Sequence, residues 1–231
     1  MIASEMDNMN HNKKIVDMYD ESYFAHRNLN DIKRIAAYKQ DSEFISRYCD
    51  IDGIVCDIGC STGEFLEAIS WSGARYGIEV SEYAKKIASS RAINFDMNIL
   101  NQKEYFDVVI FRGTIQHLPS PFEYLNLAYE SLKPGGKLFL LATPNANCLV
   151  YKIFNTLPAL DKRLNFYIPS DITLRDNLEN IGFKVLNTEY PYLDSPYANY
   201  LSDHIKFIKS LVSRKVNYPF WKNMMNMVAE K

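Results

Sequence analysis

The sequence lacks the features that would divide it into parts or place it in a membrane. Its 231 residues contain no apolar run long enough to span a bilayer, no Pro/Gly/Ser-rich linker and no internal repeat. Residues 1–14 are polar and rich in Asn, without the apolar core of a signal peptide. Because 47% of the residues are hydrophobic, we expect one substantial core. The missing linker predicts a single domain, 1–231. The missing membrane span and signal peptide predict a cytoplasmic protein with no membrane partner.

Strong charge and paired cysteines are also missing. The formal net charge of -2 disfavours a nucleic-acid-binding surface, so we expect no nucleic-acid partner. The four cysteines, Cys49, Cys56, Cys60 and Cys148, do not have the spacing of metal ligands. The sequence therefore predicts reduced thiols and no metal site.

The most informative stretch spans residues 54–66. It begins with a short apolar run, is interrupted at Gly59, continues with small residues to Gly63, and resumes with apolar residues at helical spacing. A buried strand, a tight turn and a helix are the geometry that directs backbone N–H groups at a ligand. Asp57 adds a carboxylate at the end of that strand.

Apolar runs alternate with helical patterns along the rest of the chain. Further strands are predicted at 75–80, 93–97, 106–111, 137–142, 183–190 and 224–229. The pattern predicts an α/β fold with a mainly parallel, doubly wound sheet whose last strand is antiparallel. We divide the domain into a helical cap (1–50), a core that binds a cofactor (51–143), and elements on the substrate side with the final strands (144–231).

The cap has two interpretations. Residues 15–49 are predicted to be helical, and a helical extension packed on the sheet edge is one interpretation. The other is a lid in which aromatic and basic side chains close over a ligand, namely Tyr19, Tyr23, Phe24, Arg27 and Arg34.

The turn excludes one ligand class and favours another. A dinucleotide fingerprint would need glycines where Ser61 and Glu64 stand, and Asp57 would repel a pyrophosphate. A cationic sulfonium nucleoside suits an acidic turn. Glu79, twenty residues after Gly59, is placed to accept hydrogen bonds from both ribose hydroxyls.

Four motifs in order give the chain a family resemblance: VCDIGCSTG (55–63), GIE (77–79), FDVV (106–109) running to His117 and Leu118, and LKPGG (132–136). The chain resembles class I S-adenosylmethionine-dependent methyltransferases of the small-molecule type. The resemblance implies a Rossmann-like seven-stranded sheet with the last strand antiparallel, and S-adenosylmethionine as the cofactor. Two residues depart from the usual pattern of this family. Ser61 stands in place of a commoner glycine, and Gln116 stands where a Glu often precedes the residue equivalent to His117.

The resemblance also assigns cofactor contacts. The implied contacts at the methionine end are Asp57, Gly59, Cys60, Ser61 and Gly63. Glu79 would bind the ribose with Val80 beside the adenine. The adenine edge would meet Asp96 or Asn98, with Met97 against the ring. Phe111 and Arg112 would lie near the transferred methyl group.

The acceptor is less constrained. His117 follows the fourth strand and is either a general base or a residue that orders its own loop. Candidate acceptor contacts are Tyr23, Tyr151, Asn165 and Tyr167. We expect methyl transfer to a small-molecule hydroxyl on a sugar, glycan precursor or secondary metabolite, by a monomer or homodimer. The alternatives are N-methylation of a small amine, or a cofactor-binding protein without activity.

Overall fold

The computed structural model describes residues 31–96, 98–158, 160 and 164–231. Tyr19, Tyr23, Phe24, Arg27 and Met97 lie outside these residues, so the lid interpretation in its aromatic part stays a prediction. Within the described residues, no helix is both long and apolar enough to cross a membrane.

Seven strands form one sheet. They are β1 (Val55–Ile58), β2 (Arg75–Ile78), β3 (Asn94–Phe95), β4 (Phe106–Arg112), β5 (Leu132–Pro144), β6 (Lys184–Glu189) and β7 (Met224–Glu230). Their order in the sheet is β3-β2-β1-β4-β5-β7-β6. β7 runs antiparallel between β5 and β6, and the other neighbouring strands are parallel. This confirms the predicted doubly wound, Rossmann-like sheet of seven strands.

Helices connect the strands and cover the sheet. Asp31 caps the first helix by accepting from the N–H of Lys33, and Ser81 and Ser170 cap the helices that begin at Glu82 and Asp171. The helices are α1 (Ile32–Ile45), α2 (Glu64–Ala68), α3 (Glu82–Ser89), α4 (Pro121–Ser131), α5 (Leu149–Phe154), α6 (Asp171–Ile181) and α7 (Tyr200–Ser213). Short 3-10 turns lie at Ile99–Asn101 and Ile115–His117.

The sheet is buried on both faces because its side chains alternate between two cores. Val109 and Phe111 of β4 pack with α4 and α6, whereas Val108 and Ile110 pack with α1, α2 and α3. All four residues of β1 are buried. Central strands with such continuous apolar runs are typical of parallel sheets, and they place their carboxyl ends along one edge.

Two local predictions were wrong. The sequence predicts that residues 133–136 end the helix and precede the strand, but β5 already begins at Leu132 and contains them, with a register shift against β4 between Phe106 and Val108. The spacing of Ser120 and Glu123 predicts a capping box, but the Ser120 side chain makes no cap hydrogen bond. Pro121 stands in the first turn of the helix that follows, where proline is favoured.

Gly77 lets the turn after β1 lie close against β2. A Cβ atom at this position would lie 2.5 Å from Cys60 Sγ and 2.9 Å from Ile93 Cγ2. We predict that Gly77→Ala lowers the free energy of unfolding by about 1–3 kcal/mol, as overpacking does. Urea denaturation checks this, and Cys60→Ala in the same chain should restore part of the loss. A Gly77→Ala protein as stable as the parent would contradict the prediction.

Candidate functional site

The turn between β1 and α2 is held by hydrogen bonds to Ile78, at the end of β2, and to Glu79. Gly59 and Gly63 have φ of 76° and 77°, which glycine adopts readily, and Ser61 has φ of 54°. The N–H groups of Gly59 and Cys60 donate to Ile78 O, at 2.7 and 3.3 Å. The Ser61 N–H donates to Glu79 Oε2 at 2.9 Å. For these three N–H groups the prediction that they point at a ligand is wrong, because Ile78 O and the Glu79 carboxylate accept from them.

Asp57 places a buried carboxylate at the end of β1. Its Oδ1 atom has no hydrogen-bond partner among the described residues. Burial raises the pKa of Asp57 to about 7, Glu79 adds to this rise, and Arg112 opposes it. A buried carboxylate oxygen without a partner is unfavourable, and a cationic group or hydrogen-bond donor at this point would stabilise it.

Glu79 supplies the second carboxylate, directly after β2. Its Oε1 atom accepts from the N–H groups of Val80 and Ser81, at 2.8 and 2.9 Å, while Oε2 accepts from Ser61. These bonds fix the carboxylate next to the turn. Val80 is half exposed beside it. Beyond β3, the Asn98 N–H donates to Asp96 Oδ1 at 2.9 Å, and both residues are exposed.

Arg112 ends β4 and connects the sheet to α1. Its Nε donates to Asp41 Oδ2 at 2.8 Å, and its guanidinium carbon lies 4.4 Å from the centre of the Tyr38 ring. Asp41 Oδ1 accepts from Asn226 Nδ2 at 3.1 Å, and Asn226 Oδ1 accepts from the Ala142 N–H at 2.8 Å. Sequence reasoning missed Asp41 and Asn226, because no local pattern indicates a contact across such separations.

Two predicted cofactor contacts have side chains that point into the core. Phe111 is wholly buried with Ile58 and Leu140 in the hydrophobic core. Cys60 is buried with its Sγ against Gly77, and burial raises the pKa of its thiol. For both side chains this corrects the prediction, since alternation along a strand and close packing at Gly77 turn them inward. Their backbones remain at the edge of the sheet.

His117 is held by hydrogen bonds at both ring nitrogens. Nδ1 lies 2.9 Å from Leu164 O, and because a carbonyl only accepts, Nδ1 carries the proton. Nε2 lies 3.2 Å from Gln116 Nε2, which also donates to Gly113 O at 2.9 Å. The arrangement favours the neutral imidazole with its lone pair on Nε2. It also ties the turn after β4 to the chain around Leu164.

The predicted acceptor contacts are only partly brought together. Asn165, next to the residue that His117 bonds, lines a cleft of about 200 Å³ together with Asn155, Thr156, Leu160 and Ile168. Tyr167 instead bonds Thr173 Oγ1 through its hydroxyl at 3.0 Å, and Tyr151 packs on an apolar cluster under α7. Neither tyrosine lines the cleft, and Tyr23 lies outside the described residues.

Comparison with known families decides what this fold belongs to. A family model described as a methyltransferase domain matches residues 24–188, more than half of the chain. The chain belongs to this family. The family resemblance inferred from the four motifs is confirmed. In this methyltransferase fold, the acidic residues Asp57 and Glu79 lie at the carboxyl ends of β1 and β2.

Curated relatives match part of the methyltransferase domain. A ubiquinone biosynthesis O-methyltransferase of Coxiella burnetii is 31% identical over 139 residues, which cover 52% of this chain and 59% of the relative. One from Idiomarina loihiensis is 32% identical over 105 residues, covering 40% of this chain and 43% of the relative. The chain thus spans less than two thirds of the length of these relatives.

Solved structures share the fold over nearly the whole chain. A SAM-dependent methyltransferase from Archaeoglobus fulgidus has a TM-score of 0.64 at 21% identity, covering 92% of this chain and 100% of that one. One from Thermotoga maritima, described as a possible histamine N-methyltransferase, has a TM-score of 0.61 at 18% identity, covering 94% and 98%. At this identity the likeness shows the fold. The predicted cofactor, S-adenosylmethionine, agrees with these neighbours.

The raised pKa of Asp57 predicts how Asp57→Asn changes stability with pH. In the unfolded chain an Asp has a pKa near about 4, against about 7 in the folded protein. Between these values the folded state holds a proton that the unfolded state has released, so the wild-type protein loses stability as pH rises. The gain in melting temperature from Asp57→Asn should be absent near pH 4, grow up to about pH 7, and stay constant above.

Melting curves of the ligand-free protein across this pH range check the prediction. Asp52→Asn, at an exposed carboxylate shortly before β1, is the control and should show no such growth. A gain from Asp57→Asn that is the same at every pH would contradict the account of a carboxylate penalised by burial.

The ion pair of Arg112 with Asp41 predicts a second stability effect. Asp41→Asn leaves a largely buried guanidinium without its anion, and we expect a loss of about 2–4 kcal/mol in the free energy of unfolding. The exposed pair of Arg47 with Glu189 is the matched control, and Glu189→Gln should change stability by about 1 kcal/mol or less. If urea denaturation showed equal losses for the two variants, burial of the Arg112–Asp41 pair would not be the cause of the predicted loss in stability.

Proposed function

We propose that the chain binds S-adenosylmethionine at the carboxyl edge of β1 and β2 and transfers its methyl group to a hydroxyl of a small molecule. The observation that carries the proposal is the pair of carboxylates at that edge, with Asp57 Oδ1 buried and unpartnered among the described residues. Two carboxylates repel a phosphate-bearing cofactor and favour a cationic one that carries a ribose diol.

The residues present fit this cofactor. Asp57 Oδ1 would accept from the ammonium of the methionine portion, and Glu79, already fixed by three backbone N–H groups, would face the ribose hydroxyls. Val80 offers an exposed apolar side chain for the adenine. When bound, the cofactor supplies an electrophilic methyl group on a sulfonium. The protein then contributes alignment and exclusion of water.

His117 is our candidate for the general base. In the neutral form favoured by Leu164 O, Nε2 has the lone pair that would take the proton of an acceptor hydroxyl. Gln116 Nε2, which donates toward this nitrogen at 3.2 Å, would shift its hydrogen bond wholly to Gly113 O. The alternative is that His117 holds the chain around Leu164 in place without touching the acceptor.

A neutral polar acceptor suits the cleft lined by Asn165. Its described lining combines two amides, a hydroxyl and two aliphatic side chains and carries no charge. Such a lining suits the hydroxyl groups of a sugar, a glycan precursor or a secondary metabolite. The relatives named as O-methyltransferases support oxygen over nitrogen as the methylated atom. N-methylation of a small amine and cofactor binding without transfer are the alternatives.

Calorimetry with S-adenosylmethionine, followed by transfer assays with labelled methyl groups, tests the proposal. The acceptor panel contains sugars, phenols and amines. Absence of binding would refute the cofactor site, and binding without any methylated product would favour a non-catalytic protein. Methylated amines in place of hydroxyl compounds would favour the N-methyltransferase.

Substitution of His117 separates its two roles. If His117 is the base, His117→Asn lowers kcat by about 10²–10⁴-fold and removes an ionisation from the pH profile, with the affinity for S-adenosylmethionine unchanged. A structural role instead predicts lower stability with an unaltered pH profile. Gln116→Ala is the control for general disturbance of this turn.

A further inference from the structure

Helix α7 presents its apolar residues to solvent. Leu201, Ile205, Ile208 and Val212 are spaced four, three and four residues apart, which aligns them on one side of the helix. Their exposed fractions are 75%, 54%, 65% and 89%. We call these four residues the α7 outer face. A contiguous exposed apolar face of this kind marks an interaction site.

Contacts on the inner side of α7 fix the orientation of the helix. Phe207 stacks on Phe220 with ring centres 4.8 Å apart and planes 9° apart, which docks the helix on the domain. Asp203 is buried, and its Oδ2 atom accepts from the Asn199 N–H at 2.7 Å and from Tyr192. Ser210 is also buried, bonding Lys206 O at 2.8 Å. The helix is thus fixed with its apolar side outward.

The exposed charged residues on and just after α7 are basic. Lys209, Arg214 and Lys215 are exposed, whereas Lys206 lies 3.5 Å from the Oδ1 atom of Asp203, the buried acidic residue of the helix. The chain as a whole has a net charge of -2, so this basic charge is local. A second copy of the chain on this face would bring like charges together. An anionic surface would complement them.

Half-exposed aromatic rings lie at the amino end of the same helix. Tyr200 and Trp221 are 50% and 42% exposed, and their ring centres are 5.8 Å apart. Tyrosine and tryptophan in this position, with an apolar stripe and flanking lysines, are the composition of a helix that lies in the plane of a membrane interface.

We propose that the α7 outer face binds the surface of an anionic lipid bilayer. The apolar side chains enter the boundary between headgroups and acyl chains, and the basic side chains of Lys209, Arg214 and Lys215 contact anionic headgroups. This revises the sequence-based expectation of no membrane partner, and it concerns attachment to a surface. The proposal stands independently of the acceptor that the enzyme methylates.

Co-sedimentation of the chain (residues 1–231) with lipid vesicles tests it. We expect binding to vesicles of phosphatidylcholine mixed with phosphatidylglycerol at least tenfold tighter than to phosphatidylcholine alone, weakening as salt is added. The double variant Ile205→Ser/Ile208→Ser should lose at least tenfold in binding, and so should Lys209→Glu/Lys215→Glu. Ile172→Ser, at an exposed isoleucine of α6, is the matched control and should bind as the parent does.

The contrary results are equally distinct. Absence of binding by the parent chain, or full binding by Ile205→Ser/Ile208→Ser, would overturn the proposal. A parent dimer in sedimentation analysis that this double variant converts to a monomer, without any vesicle binding, would instead make the face an interface between copies. Binding of S-adenosylmethionine should be the same in the parent and the double variant, so failure here leaves the cofactor proposal untouched.

Discussion

The burial of the Asp57 carboxylate at the end of β1 is the constraint on which the site depends. A carboxylate in the interior is unfavourable unless charges or donors surround it. The described protein supplies only partial compensation: Arg112 opposes the rise in its pKa, but Oδ1 keeps no hydrogen bond. The fold therefore holds a buried carboxylate that a cationic ligand would stabilise.

The surrounding structure keeps that arrangement fixed. Arg112 cannot move freely toward Asp57, since Asp41 of α1 and the ring of Tyr38 hold its guanidinium. Asp41 is in turn bonded to Asn226 of β7, which also takes the N–H of Ala142 where β5 and β7 change register. The helix before the first strand and the last strand of the sheet thus meet at one buried network. This relation makes α1 part of the site.

Much of this fold can be predicted from the sequence because the relevant signals are local. Continuous apolar runs identify the central strands, Ser81 and Ser170 identify two helix starts, and the residues around Gly59 identify the turn. The network of Asp41, Arg112 and Asn226 has no such signal, since its members are 71 and 185 residues apart. The inward direction of Phe111 also depends on strand register, which apolar composition alone does not define.

The substrate side shows the same limit. The sequence indicates aromatic and amide residues after Thr143, but only the fold separates Asn165, which lines a cleft, from Tyr167, whose hydroxyl is bonded to Thr173. Helix α7 follows a helical pattern, yet its buried residues are Asp203 and Ser210. The hydrophobic pattern predicts that the apolar side of the helix faces inward. The stacking of Phe207 and the hydrogen bonds of Asp203 orient this helix the other way.

A crystal structure with S-adenosylhomocysteine, the demethylated cofactor, tests the central claim most directly. The account predicts the ribose hydroxyls on the Glu79 carboxylate and the amino group on Asp57 Oδ1, with α1 still joined to Arg112 through Asp41. A ligand bound elsewhere, or one that leaves the Asp57 oxygen without a partner, would contradict it.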